Sequence, residues 1–188
     1  MRKIRIMAHV SLDGVLDEGG GWTTPYRSPA GLEAVLQAQG SPFDLLLGRR
    51  TYDLWSDYWP KAGNSPMANS LNAATKYVAT HRPDSLKWGP VWALGGDIIE
   101  GIRDVKSTNG PDLIVWGSST LTSVLLEQGL VDEVVLLVYP VLLGAGKRFF
   151  SDSAGPHELA FVSSTATPTG VLKNTYRYVG SLKNKKGK

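Results

Sequence analysis

The sequence predicts an α/β protein with a mainly parallel sheet, helices on both of its faces and antiparallel strands at the C-terminal edge. Three observations predict it. Short apolar runs rich in β-branched residues alternate, over most of the chain, with stretches whose apolar residues recur every three to four positions. Glycine, serine or proline bounds most of these runs, as chain-turning residues do. The last two runs, near 158–164 and 171–179, are separated by the turn around Thr167-Pro168-Thr169-Gly170, which suits an antiparallel pair.

The elements follow in order. Residues 4–10, IRIMAHV, form a first strand that stops at Ser11-Leu12-Asp13-Gly14. Residues 15–27 hold Gly19, Gly20, Gly21 and Pro25, a composition that opposes regular structure and predicts a mobile loop. Ser28 as N-cap and Pro29 at the first helical position start a helix that ends at Gly40, with Leu32, Val35 and Leu36 as its buried stripe. Phe43 to Leu47 make a second strand, ending at Gly48-Arg49-Arg50-Thr51. From Arg49 a helix carries Tyr52, Trp55 and Trp59 in one stripe until Pro60 closes it. Ser65-Pro66 start a short helix, with Met67 and Leu71 one turn apart. Residues 76–80 are a third strand leading to His81-Arg82-Pro83, and 91–94 a short fourth one ending at Gly95-Gly96. Asp97 and Glu100 have capping-box spacing ahead of a helix with Ile98, Ile102 and Val105 inward.

The stretch 112–150 then joins a strand, a small-residue turn, a helix and a second strand. Leu113 to Trp116 form an apolar run suited to a strand buried on both faces. Gly117, Ser118 and Ser119 stop it, and Leu121, Val124 and Leu125 mark a helix that Gly129 caps. A strand feeding a helix through small residues leaves backbone N–H groups at the positive end of the helix dipole, where a phosphate is attracted.

Length and composition exclude several classes. The 188 residues, 42% hydrophobic and 20% charged, fit one globular domain over residues 1–180 with a basic, disordered tail at 181–188. Lys183, Lys185, Lys186 and Lys188 lie in that tail, so the net charge of +3 becomes −1 over residues 1–180 once they are set aside. The body is therefore not basic, and no nucleic-acid partner is expected. No run approaches the roughly 18 apolar residues of a membrane span, and the N-terminus enters a strand with no cleavage-site pattern, so a cytoplasmic protein without a membrane partner is expected. With no cysteine and only His9, His81 and His157, widely separated, no metal site is expected. Gly144-Ala145-Gly146-Lys147-Arg148 resembles a phosphate loop, but Val141 stands where its first glycine belongs and Arg148 where it needs Ser or Thr. The G-x-G-x-x-G fingerprint and the G-x-S-x-G elbow are absent.

Ligands of open α/β sheets bind beyond the carboxyl ends of the strands. The residues that follow the predicted strands are Ser11 to Gly14, Gly48 to Thr51, Thr80 to Arg82, Gly95 to Asp97 and Gly117 to Thr120. Two of these open helices with glycine and can hold a pyrophosphate, and two supply arginines, which suggests a dinucleotide with an extra phosphate. Arg49 and Arg50 stand at a helix start, where the dipole opposes a cation unless an anion is near or both are solvated. Arg82 can fork onto a ribose 2′-phosphate, the group that separates NADP from NAD. Asp13, the carboxylate that follows the first strand, is the candidate polar and catalytic group of the substrate site, or else only holds its Asp-Gly turn. Trp22 and Tyr52 can wall a pocket for a planar ring, although an aromatic stripe also serves a core.

These residues resemble a known family. The run GSSTLTSVLLEQGLVDEVVLLVYPVLLGAGKRFF at 117–150 and the early SLDG at 11–14 are similar to the C-terminal reductase domain of bacterial riboflavin biosynthesis. DLLLGRRTYDLW at 44–55 resembles the Gly-Arg-x-Thr segment of dihydrofolate reductase. The likeness runs in matching order from residue 4 to about 179. It implies a dihydrofolate-reductase-like fold, NADPH as hydride donor and, weakly, a homodimer. It places Gly48, Arg49, Arg50 and Thr51 at the phosphates, Thr80, His81 and Arg82 at the adenosine end, Gly95 nearby, and Gly117, Ser118, Ser119, Thr120 and Leu121 at the pyrophosphate. Two departures stand out. Trp116-Gly117-Ser118 replaces a usual Glu-Gly-Gly, and the acidic residue of the first helix of dihydrofolate reductase falls near Gly31, with only Glu33 close by. The expectation is an NADPH-dependent reductase for a small pterin-like or pyrimidine-like C=N or C=O substrate, with residues 15–27 as a lid. The alternative is a non-catalytic nucleotide-binding or assembly protein that keeps the fold.

Overall fold

The computed structural model describes residues 1–17, 19, 21–150 and 155–182. The most buried strand runs follow the β-branched pattern: β1 (Ile4–Ser11), β2 (Phe43–Gly48), β5 (Asp112–Trp116) and β6 (Glu133–Tyr139). Two four-residue strands, β3 (Lys76–Ala79) and β4 (Val91–Leu94), extend one side, and β7 (His157–Ala166) and β8 (Leu172–Ser181) the other. Among the described residues they form one sheet in the order β4-β3-β2-β5-β1-β6-β8-β7. The first six are parallel, and β8 pairs antiparallel with both β6 and β7.

Alternation along the strands divides the core. Ile4, Ile6, Ala8 and Val10 of β1 join Leu113 and Val115 against α4 (Ile98–Ser107) and α5 (Ser119–Glu127), which contribute Ile102, Leu121 and Leu125. Met7, Ile114, Trp116, Val135, Leu137 and Tyr139 face the other way. They meet Val35 of α1 (Pro29–Gln39), Tyr52 of α2 (Arg49–Tyr58) and Leu71 of α3 (Pro66–Ala73). Each large apolar side chain so buried contributes roughly 1.5–3 kcal/mol.

Local signals set the helix ends. Ser28 and Ser65 accept from the amides of Gly31 and Ala68, and Asp97 accepts from Ile99 and Glu100. Gly129, at φ 63°, closes α5 with bonds from its own amide to Leu126 and from Leu130 to Leu125, the pattern a left-handed glycine makes possible. The α1 stripe is rotated from the expected one: Val35 and Gln39 are buried while Leu32 is exposed. Residues 15–27 are not wholly irregular. Val15 and Leu16 form bridges to Arg148 and Val10, and Thr24–Tyr26 make a 3-10 turn. Ser181 still pairs with His157 in β8, so the strand passes the expected boundary at 180, while the basic tail over 183–188 lies outside the described residues.

Candidate functional site

The strand order brings the predicted rim residues into a row. Gly95 follows β4, Thr80 to Arg82 follow β3, Gly48 ends β2 with Arg49 to Thr51 after it, and Gly117 to Leu121 follow β5, four neighbours in the sheet. The buried charges Arg2, Asp44 and Lys76 lie at the opposite, amino-terminal end of the strands.

The two glycine turns in this row touch. A Cβ built on Gly48 would stand 2.5 Å from Ser118 Oγ and force that hydroxyl to turn aside, so glycine lets the two turns close on each other without a shift. Gly117 and Ser118 both adopt the left-handed region, at φ 57° and 53°. For serine this costs about 1–2 kcal/mol, the kind of strain found at functional turns. The Gly117 amide donates to Met7 O and the Thr122 amide to Ser118 O, which leaves the amides of Ser119, Thr120 and Leu121 as the orphan donors of a helix start. Among the described residues, α2 and α5 have no side-chain cap and no acidic residue in their first turns, whereas α1, α3 and α4 are all capped by side chains. Two uncompensated positive helix ends therefore converge on one spot, as an anion site requires.

The arginines divide into two roles. Arg49 Nε donates to Asp53 at 2.7 Å, and its other nitrogens donate to Arg82 O at 2.8 Å, Ser85 Oγ at 2.7 Å and Thr80 Oγ1 at 3.4 Å. Its charge is paired with Asp53, one turn along. Arg49 braces α2 against the 80–85 turn. Thr80, buried, also accepts from the Arg82 amide. Arg50, His81 and Arg82 are exposed, and the Arg82 guanidinium lies 3.6 Å from Asp53.

Asp13 lies beyond this row, at the end of β1. Its Oδ1 accepts from Ser11 Oγ at 2.6 Å and the Leu143 amide at 3.1 Å, and its Oδ2 from the Gly144 amide at 2.8 Å. These bonds, that of Ser11 first, hold its carboxyl down at about 2. It is ionised and engaged near neutral pH, so its geometry fits the turn-holding role rather than proton exchange with a substrate. Tyr52 is corrected too. It is buried, its hydroxyl accepts from the amides of Lys87 and Trp88, and it packs in the core rather than walling a pocket.

Trp22 lies in an aromatic cluster that sequence reasoning missed. His9, Trp116 and Tyr139 share one face at the carboxyl ends of β1, β5 and β6, because strand alternation points them the same way. The His9 ring stacks on Trp116 at 5.4 Å and 15°, and its Nδ1 is 2.7 Å from the Tyr139 hydroxyl. Trp22 and Tyr26 stand edge-on to Tyr139 at 5.3 and 5.6 Å. Burial lowers His9 to about 4 and pushes Tyr139 up to about 12, so both are neutral at pH 7. Trp116 is 6% exposed and its Nε1 donor has no partner among the described residues, an omission that costs roughly 1–3 kcal/mol. The available signal was a histidine at an inward position of an otherwise apolar strand.

Residues 2–173 match the RibD C-terminal domain family. The uncharacterised YyaP protein of Bacillus subtilis is 29% identical over 140 residues, covering 72% of this chain and 74% of its own. A candidate riboflavin biosynthesis protein from Shewanella sp. PV-4 superposes with a TM-score of 0.74 at 20% identity, covering 94% of this chain and 99% of its own. Dihydrofolate reductase from Enterococcus faecalis, solved with NADP(H), gives 0.59 at 16% identity, covering 93% and 94%. At these identities the structural likeness establishes the fold, which is dihydrofolate-reductase-like.

Proposed function

The chain belongs to the RibD C-terminal domain family, and from that premise we propose that it is an NADPH-dependent reductase acting on a small C=N or C=O substrate of pterin or pyrimidine type. The observation that carries the reading is the contact of the Gly48 and Ser118 turns, where two uncapped helix starts meet without an acidic residue. That cradle fits a pyrophosphate, and the neighbour solved with NADP(H) supports the choice of dinucleotide. Gly117, Ser118, Ser119, Thr120 and Leu121 would hold the pyrophosphate with Gly48 and Thr51. Arg82, with His81 and Arg50, would meet the 2′-phosphate, and Gly95 would border the adenosine end. Arg49 and Thr80 would keep that turn in place.

When bound, NADPH supplies the hydride, and the chain supplies orientation and a dry site. Asp13 is a positioning residue, tying the end of β1 to the 143–144 amides. Trp22, edge-on to Tyr139, would serve as part of a lid over this cluster. The exposed edge of β7, with Phe161 and Val162 on its surface, supports a homodimer.

The test compares NADPH and NADH affinity in the native chain and in Arg82→Ala. A preference for NADPH that Arg82→Ala abolishes is expected, and equal native affinities, unchanged by the substitution, refute the 2′-phosphate assignment. One observation favours a second reading, a non-catalytic nucleotide-binding protein: both oxygens of Asp13 are engaged. NADPH binding without oxidation across a panel of pterins, pyrimidines and carbonyl compounds would favour it.

A further inference from the structure

The loop that joins α4 to β5 carries a reactive pair. Asn109 and Gly110 are both exposed and lie in a bend, outside any helix or strand. Among the described residues neither the Asn109 side chain nor the Gly110 amide has a hydrogen-bond partner. An amide that serves no ladder or helix can act as a nucleophile, and an unengaged asparagine side chain can turn towards it. Glycine adds no Cβ to block the approach and widens the backbone's choice of conformation for it. The other asparagines among the described residues lack this combination. Asn69 and Asn72 lie in α3, where the amides that follow them belong to the helix, and Asn174 lies in β8 between two paired strands. Asn64 Oδ1 accepts from Asn69 Nδ2 at 2.7 Å, and Ser65 after it bears a side chain that crowds the attack.

We propose that Asn109 is a site of spontaneous deamidation whose product loosens the anchor of Arg2. The Gly110 nitrogen gives its proton to hydroxide and attacks Asn109 Cγ; a C–N bond forms and ammonia leaves, closing a five-membered succinimide. Water then adds at one of the two ring carbonyls and breaks its bond to nitrogen, leaving aspartate or, in excess, isoaspartate. The isoaspartyl link adds one carbon to the main chain between residues 109 and 110. Just beyond it, Pro111 O accepts from Arg2 Nε, and a Cβ on Gly110 would stand 3.4 Å from Arg2 Cζ. The Arg2 side chain is buried, pairs with Asp44 of β2 and is held at its own amide by Lys106 O at 2.9 Å. Lengthening the chain here shifts a carbonyl away from a buried charge, which is destabilising.

Prolonged incubation of the full chain at mildly alkaline pH and physiological temperature, followed by peptide mass mapping, tests the site. The peptide holding Asn109 is expected to convert roughly tenfold faster than any other asparagine-containing peptide. Isoaspartate, read with an isoaspartyl carboxyl methyltransferase, is expected to exceed aspartate. Each conversion lowers the net charge from +3 to +2, so the converted chain separates by ion exchange. It is expected to unfold at a lower urea concentration than the unconverted chain. Asn109→Gln, whose longer side chain closes a ring far more slowly, is expected to keep its charge and its urea midpoint through the same incubation. An unconverted Asn109 in the native chain, or faster conversion of another asparagine, overturns the site. A converted chain with the native urea midpoint overturns the link to Arg2. None of these outcomes involves NADPH, so the reductase reading stands or falls separately.

Discussion

A methyl group at Gly48 would stand 2.5 Å from Ser118 Oγ, closer than real Cβ contacts come. Gly48 sits at φ −70° and ψ 152°, which alanine accepts, so the cost of Gly48→Ala is steric rather than conformational. Overpacking by one methyl costs typically about 1–3 kcal/mol. Ser118 Oγ can turn aside about χ1, which places the cost at the low end of that range, while the backbone beneath it, at φ 53°, carries about 1–2 kcal/mol of left-handed strain. If about 1.4 kcal/mol of the total falls on the geometry of the cradle, NADPH affinity drops about tenfold. Urea unfolding would read the stability loss and fluorescence titration the NADPH affinity. Ser118→Gly in the Gly48→Ala background removes both the Oγ and the strain, so it should restore most of each. Unchanged affinity and stability in Gly48→Ala, or failure of Ser118→Gly to repair them, would refute the contact as the organiser of the site.

Two further outcomes follow from the engaged and buried groups. His9 titrates at about 4 in the fold and near 6.5 when unfolded, so its contribution is constant above pH 6.5 and stability is lost as pH falls from 6.5 to 4. That gap, at about 1.4 kcal/mol per pH unit, limits the loss to about 3 kcal/mol. The drop in unfolding free energy between pH 7 and 4.5 should therefore shrink in His9→Asn, and an unchanged drop would remove the burial argument. Asp13→Ala frees the amides of Leu143 and Gly144, which should exchange hydrogen faster while β1 stays protected. Equal exchange rates would count against its role as the tie between the two loops.

Much of the local structure was legible because its causes are local. Ser28-Pro29, Ser65-Pro66 and Asp97 announced three helix starts, and each forms the expected cap bond with an amide two or three residues on. The Gly117 turn was visible as small residues between a buried strand and a helix, and the likeness of 117–150 to the reductase family carried the fold. The partner of Arg49 was less visible, although Asp53 stood four residues along. Tyr52 read equally as pocket wall or core, since a helical stripe records which residues share a face and not what that face meets.

By itself the sequence determined the alternation of strands and helices, their caps and the glycine-opened turns. Those depend on side-chain spacing of two to four residues and on backbone freedom at single positions. The tertiary structure alone decided that β5 lies between β1 and β2, and hence that Gly48 meets Ser118 across 70 positions of chain. It also decided that His9, Trp116 and Tyr139 pack into one cluster. Strand order is chosen by crossover connections and by burial summed over the whole sheet, which no short window of residues encodes.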